Sequence, residues 1–235
     1  MRLMGEENNS LAGHRRRLRS RFARSGAAGL QDYEIIELLL TYAIPRRDVK
    51  PLARMLLDKF QNLAGVLHAS GSELLSVPGI GSRTAMLIIL MREIMLKAME
   101  QDIREKPVIN TRQDIFKFLR LKLGSEKKET LMVFYLDSGR HIMEYDIWRG
   151  TVDRTVIYTR EIIEKALICR ACGVILAHNH PGGSKGLSQE DLKLTENMKD
   201  TLSRLGIELL DHIVVARSSV TGYMESDLQT EENYR

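Results

Sequence analysis

The chain of 235 residues has two cysteines and no apolar run near the ~20 residues that a membrane-spanning helix needs. Two thiols cannot staple a disulfide scaffold, and their scarcity suits a reducing compartment. The first residues, with Arg2, Glu6, Glu7 and Asn8, lack the apolar core of a secretory signal. Membrane-spanning and disulfide-framed classes are set aside, and a cytoplasmic location is expected. What remains is ordinary for a globular protein: 43% hydrophobic and 28% charged residues, over a length that suits one large domain or two small ones.

The charge is unevenly spread. Residues 1–106 carry 17 Lys+Arg against 12 Asp+Glu, a net +5, and the remainder is −1. The excess is densest in His14-Arg15-Arg16-Arg17-Leu18-Arg19-Ser20-Arg21-Phe22-Ala23-Arg24. Arg15, Arg16, Arg17, Arg19 and Arg21 can hold phosphates. The plainer reading is a solvated helix face with Leu18 and Phe22 as its buried stripe.

Helical patterns continue downstream. Asp32 is placed to cap a helix from Tyr33 to Tyr42, and Pro45 ends it. A second helix carries Leu52, Met55, Leu56 and Phe60. Ser70 or Ser72 opens a short one, and a long one runs from Gly81 to about Glu100. Before the long helix lies Leu75-Ser76-Val77-Pro78-Gly79-Ile80-Gly81-Ser82-Arg83, which resembles the hairpin of helix-hairpin-helix DNA-binding modules. Gly79 and Gly81 let the backbone turn sharply and approach a phosphate, the next helix N-terminus points N–H groups at it, and Arg83 adds charge. A hairpin that serves only packing fits the same residues. The charged stretch Asp102–Lys106 before Pro107 reads as a linker. Thr111 then reads as the cap of a helix through Leu123.

In the second half, Glu129–Asp137 and His141–Trp148 read as strands joined at Ser138-Gly139-Arg140. A helix spans about Arg160 to Arg170, and Ile207–Ala216 is a further strand. Between them Val174-Ile175-Leu176-Ala177 is a short buried strand that continues into His178-Asn179-His180-Pro181. Side chains alternate along a strand, so His178 and His180 point the same way. Gly182–Gly186 is a flexible loop, after which Ser188-Gln189-Glu190-Asp191 opens a periodic helix. The loop returns Asp191 towards the strand end, where two imidazoles and a carboxylate can share one metal ion and leave a fourth position for water, as catalytic zinc requires. Ser188 and Asp191 also satisfy a helix capping box, which alone would account for that pair. Cys169-x-x-Cys172 has no further cysteine to complete a zinc site. Asp211 and His212 face opposite ways on a strand, and His212 reads as a core or supporting residue.

The pattern His178-x-His180-Pro181-x6-Ser188-x-x-Asp191 resembles the metal-binding motif of the JAMM (MPN+) metalloproteases. The resemblance implies a glutamate base upstream, at the start of a neighbouring strand. Glu129 occupies that place, with Glu144 and Glu161 as rivals. With Gly13-His14-Arg15 through Phe22, Val77–Gly81 and Leu210-Asp211-His212, nearly the whole chain resembles the RadC-type proteins of bacteria. It departs from them after Val215, where Ser218–Glu225 stands in place of a usual Ser-Phe-Ala-Glu-Arg-Gly segment.

The expected fold is two-domain. Residues 1–106 form a small all-α helix-hairpin-helix domain with DNA contact, and residues 107–235 form an α/β MPN domain of cytidine-deaminase-like architecture. The expected function is zinc-dependent hydrolysis of a peptide or isopeptide bond: His178, His180 and Asp191 hold Zn2+, Glu129 is the base, and Ser188 bonds the water or oxyanion. The alternative is a DNA-repair-associated module whose metal is structural. A nuclease ranks last, because no carboxylate-rich two-metal site surrounds His178.

Overall fold

A computed structural model describes residues 2–45, 47–150, 155–216 and 219–223, with side chains from residue 12 onward and excepting 109–111 and 155–158. Of the departing segment Ser218–Glu225, Ser218, Met224 and Glu225 lie outside the described residues. The chain divides into two compact units, Met1–Ile94 and Met95–Arg235.

The first unit is helical: α1 (Arg2–Ser25), α2 (Asp32–Ala43), α3 (Lys50–Phe60), α4 (Leu63–His68), α5 (Gly71–Leu75) and the start of α6 (Ser82–Glu105). Its core gathers Ile36, Leu40, Leu52, Leu56, Leu74 and Ile88, with Val77 and Ile80 of the glycine hairpin packed into it. Gly79 adopts φ +94, a conformation only glycine takes without strain. Several boundaries differ from expectation. Gln31, not Asp32, occupies the cap position of α2, where its N–H donates to Glu34 Oε2 at 3.0 Å. Leu18 is buried as expected while Phe22 is exposed. Asp102–Glu105, expected as a linker, are the last turn of α6.

The second unit continues with α7 (Val108–Leu123), β1 (Thr130–Leu136), β2 (Ile142–Arg149), α8 (Thr155–Ile168), β3 (Gly173–Asn179), α9 (Gln189–Arg204), β4 (Glu208–Val215) and β5 (Val220–Gly222). Helix α7 starts three residues before Thr111, with Pro107 at its cap position. Its fixed φ suits the entry to a helix. The sheet has the order β2-β1-β3-β4-β5. Only β3 and β4 run parallel among its pairs, joined through α9. The expectation of alternating strands and helices therefore yields a mixed sheet.

Helices cover both faces of this sheet. Met132, Phe134, Leu136, Ile175, Ala177, Ile213 and Val215 meet α7 and the end of α6 on one face. Val133, Tyr135, Val174 and Leu176 meet α8 and α9 on the other. Strand β3, central and buried at all seven residues, needs apolar side chains on both faces, hence its unbroken run.

Strand β4 carries one irregularity. Val174 pairs with Leu209 but Ile175 pairs with Asp211, so Leu210 is an extra residue in β4. This bulge places Leu210 with the α7-side core and Leu209 with the α8–α9 side. Beyond it the alternation is reset, and His212 pairs with Leu176 on the α8–α9 face. Asp211 accepts a bond from Arg112 Nη2 of α7 at 3.1 Å on the opposite face. Among the described residues no helix is long and apolar enough to cross a membrane.

Phe134 is fully buried, with its ring 6.4 Å from Phe118 and 5.9 Å from Tyr145, both edge-on. Phe134→Ala is expected to lower the unfolding free energy of the second unit by about 3–5 kcal/mol, the usual cost of an aromatic cavity. Urea titration followed by circular dichroism checks this; a loss under about 1 kcal/mol would contradict the packing described.

Candidate metal centre

The centre forms where β3 ends and α9 begins. Strand alternation carries His178 and His180 to the α8–α9 side, and the Gly182–Gly186 loop brings the helix start back over them. Gly183 (φ +80) and Gly186 (φ +76) supply left-handed turns in that loop. Ser188 then caps α9: its Oγ accepts the Asp191 N–H at 3.1 Å, and the Ser188 N–H donates to Asp191 Oδ2 at 2.7 Å. The cap holds the Asp191 carboxylate still, in the first turn, where the helix dipole favours negative charge. Capping and a role at the centre are thus compatible readings of the same pair.

His178 Nε2 and His180 Nε2 lie 2.9 Å apart. Asp191 Oδ1 is 3.2 Å from the first, and Asp191 Oδ2 is 3.3 Å from the second. Four tetrahedral ligands bonded at about 2.0–2.1 Å would have donor atoms about 3.3 Å apart. The three donors fit one small divalent ion, and this cluster could bind a metal. Their side chains are 10%, 9% and 17% exposed, so they are nearly enclosed but still reachable from the cleft. Burial works to raise the Asp191 pKa, but the hydrogen bond and charge of His178, with two bonds from Ser188, outweigh it and hold the carboxyl well below the usual range.

The other imidazole nitrogens are engaged. His180 Nδ1 is 3.2 Å from the Ser184 carbonyl oxygen and 3.0 Å from Ser184 Oγ. His178 Nδ1 is 2.9 Å from His212 Nε2, and His212 Nδ1 is 2.6 Å from Thr195 Oγ1 on α9. His212 has no exposed surface. Burial, then the nearby His178, pushes its pKa down to about 3, so it is a neutral imidazole. The sequence reading of His212 as a core or supporting residue corresponds to this position. Thr195 and Ser184 carried no signal in the sequence; a threonine one turn after Asp191 on the same helix face was the only clue available.

A cleft of about 420 Å³ opens over the three donors, lined also by Glu129, Thr130, Leu131, Trp148 and Ser188. Glu129 immediately precedes β1 and is exposed to the cleft. Asn179, between the two histidines and buried on the opposite side of β3, holds this stretch. Its Oδ1 accepts the Thr130 N–H at 2.8 Å, and its Nδ2 donates to the carbonyls of Glu126 and Lys128 at 3.0 and 3.3 Å. The rivals for the base are occupied elsewhere. Glu144 pairs with Lys165 Nζ at 2.5 Å, and Glu161 accepts from Trp148 Nε1 at 2.9 Å. Cys169 is partly buried after α8, where burial raises its thiol pKa, and Cys172 is exposed.

The basic residues of the first unit are split between two roles. Arg15 donates to the carbonyls of Ile44, Pro45 and Arg47 just past the end of α2. Arg21 pairs with Glu34, and His14 Nε2 lies 2.7 Å from the buried Glu37. Arg16, Arg17, Arg19 and Arg83 remain exposed. Gly81 has open space where a Cβ would stand.

Comparison with known proteins follows the same division. The family model described as the RadC-like JAB domain matches residues 109–228, and the one described as UPF0758 N-terminal matches residues 12–86. A UPF0758 protein of Fusobacterium nucleatum is 36% identical across 96% of this chain and 100% of its own length. One from Ruegeria pomeroyi is 36% identical over 87% of this chain and 92% of its own. One from Polaromonas is 32% identical over 90% and 95%.

The buried neutral His212 has a consequence for stability. Its folded pKa lies below the unfolded value of about 6.5, so its contribution is complete above that pH and is lost as pH falls towards 3. Metal-stripped protein is expected to lose stability already between about pH 6.5 and 4.5, above the range where carboxylates titrate. Denaturant midpoints measured in chelator across that window check it; a flat profile would show that His212 is not buried in its neutral form.

Proposed function

The chain belongs to the RadC family, and from that premise we propose that its second unit is a zinc-dependent hydrolase of peptide or isopeptide bonds. The observation that carries this reading is the convergence of His178 Nε2, His180 Nε2 and an Asp191 oxygen at the floor of a cleft that Glu129 and Ser188 also line. Two imidazoles and one carboxylate are a donor set that suits zinc and leaves a coordination position open. Bound there, the ion would act as a Lewis acid and make water nucleophilic at neutral pH. Glu129 would take the proton of the attacking water and deliver it to the leaving amine nitrogen. Ser188 Oγ, which accepts the Asp191 N–H and bonds the Asp191 carboxylate, would turn its proton to the developing oxyanion. JAB-type domains are often hydrolytic, which agrees with this assignment.

The expected composition is one zinc per chain, measured by metal mass spectrometry on the purified protein. Glu129→Gln should keep that zinc while lowering cleavage of any peptide substrate found in a library screen by about 10² to 10⁴-fold. Asp191→Asn should weaken zinc strongly. Full zinc occupancy in a His178→Ala, His180→Ala double variant would sink the assignment, and intact cleavage by Glu129→Gln would move the base elsewhere.

We also propose that the first unit contacts nucleic acid through phosphates, on a narrower set of residues than the arginine block as a whole. Exposed Arg16, Arg17, Arg19 and Arg83 favour it, with Gly79 and Gly81 as the hairpin near Arg83. Arg15 and Arg21 are committed to internal contacts and contribute little. Replacing Arg16, Arg17 and Arg19 together by Ala should weaken binding of a labelled DNA duplex and reduce the salt slope by roughly one for each phosphate no longer neutralised. Fluorescence anisotropy at low salt measures both; an unchanged slope would assign these arginines to solubility alone.

A further inference from the structure

The hydrogen-bond chain behind the centre has a direction that the atom types dictate. It runs from the Asp191 backbone carbonyl to Thr195 Oγ1 at 2.6 Å, from Thr195 Oγ1 to His212 Nδ1 at 2.6 Å, and from His212 Nε2 to His178 Nδ1 at 2.9 Å. A carbonyl oxygen only accepts, so the single proton of the Thr195 hydroxyl lies on the bond to Asp191. The Thr195 oxygen must then accept from His212, which puts the His212 proton on Nδ1. His212 is fully enclosed, and its two ring nitrogens face a hydroxyl and a second imidazole, neither of them an anion, so burial leaves it one ring proton. Its Nε2 is therefore a bare lone pair, and the only proton that can fill the 2.9 Å gap belongs to His178 Nδ1.

We infer that Thr195 and His212 are positioning residues that keep a proton on His178 Nδ1, so that Nε2, which faces His180 Nε2 and Asp191 Oδ1, is the nitrogen a metal ion would take. Metal-ligating histidines usually owe their orientation to a carboxylate or a backbone carbonyl on the far nitrogen. Here a second imidazole does this, backed by a threonine and a carbonyl. The chain also spans three elements. His178 is on β3, His212 on β4, and Thr195 on α9 one turn after Asp191. It thereby ties the start of α9, and with it the third ligand, to the strand that carries the first. The inference rests on the reading of His178, His180 and Asp191 as metal ligands, but the Nδ1 proton and its bond to His212 need no metal.

The test uses the full chain with ¹⁵N-labelled histidine. In metal-stripped protein, long-range ¹H–¹⁵N correlation should report a proton on Nδ1 of His178 and on Nδ1, not Nε2, of His212. Thr195→Val keeps the shape but removes the acceptor. It should disturb the His178 Nδ1 proton and weaken zinc about 10 to 100-fold in competition with a chromogenic chelator. Thr195→Ser should restore both. A wild-type His178 with no proton on Nδ1 overturns the inference whatever the zinc result. Thr195→Val with unchanged Nδ1 proton and zinc affinity overturns it equally. Parent protein that shows the Nδ1 proton yet binds no zinc upholds the relay and removes the metallohydrolase reading instead.

Discussion

The Asp191 carboxylate, lying against two imidazoles at 3.2 and 3.3 Å, is the contact on which the second unit is built. A half-buried carboxylate loses hydration, and only charge-assisted partners and a helix N-terminus offset that cost. The partners come from two elements that meet at one point, the carboxyl end of β3 and the first turn of α9. A parallel strand pair with a crossover helix creates such a meeting, because strand end and helix start then share one side of the sheet. The capping box at Ser188 fixes one contributor, and the fully buried β3 fixes the other. Each would leave the donors adrift without the other.

Around that contact the support is layered by face. On the α8–α9 side, His212 and Thr195 occupy the outer nitrogen of His178, while Ser184 occupies that of His180. On the other side, Asn179 grips the chain from Glu126 to Thr130. The tripeptide His178-Asn179-His180 thus serves two surfaces at once. Its outer residues face the centre, and its middle residue secures the approach to β1, where Glu129 stands. A side chain of two methylenes placed before a strand would otherwise sample many positions, and three hydrogen bonds from one buried amide limit its backbone.

In the first unit, charge has a structural use that composition hides. Arg15 reaches the carbonyls of Ile44, Pro45 and Arg47 just beyond the end of α2, and Arg21 and His14 meet Glu34 and Glu37 on the buried side of α2. Burying two carboxylates on one helix demands cations from α1, so part of the arginine density serves to dock α1 on α2.

Much of the site was legible in the sequence because its determinants are local. His178 and His180 share a face by strand alternation, Ser188 and Asp191 fit a capping box, and the glycines between them mark a loop; period and spacing are enough for these. The helical first half and the strand-rich second half were legible for the same reason, although the ends of helices were not. Charge at Asp102–Glu105 suggested a linker where α6 continues, since exposed helix turns and linkers have the same composition. The position of Glu129 came from resemblance, since no short-range rule links it to the histidines. Only the tertiary structure decided that Glu144 and Glu161 are held by Lys165 and Trp148. It alone decided which face His212 takes. Alternation by itself would put Leu209, Asp211 and Ile213 on one face, but the extra residue Leu210 resets the count. A bulge is a property of pairing between two strands, and a single strand's sequence does not contain its partner.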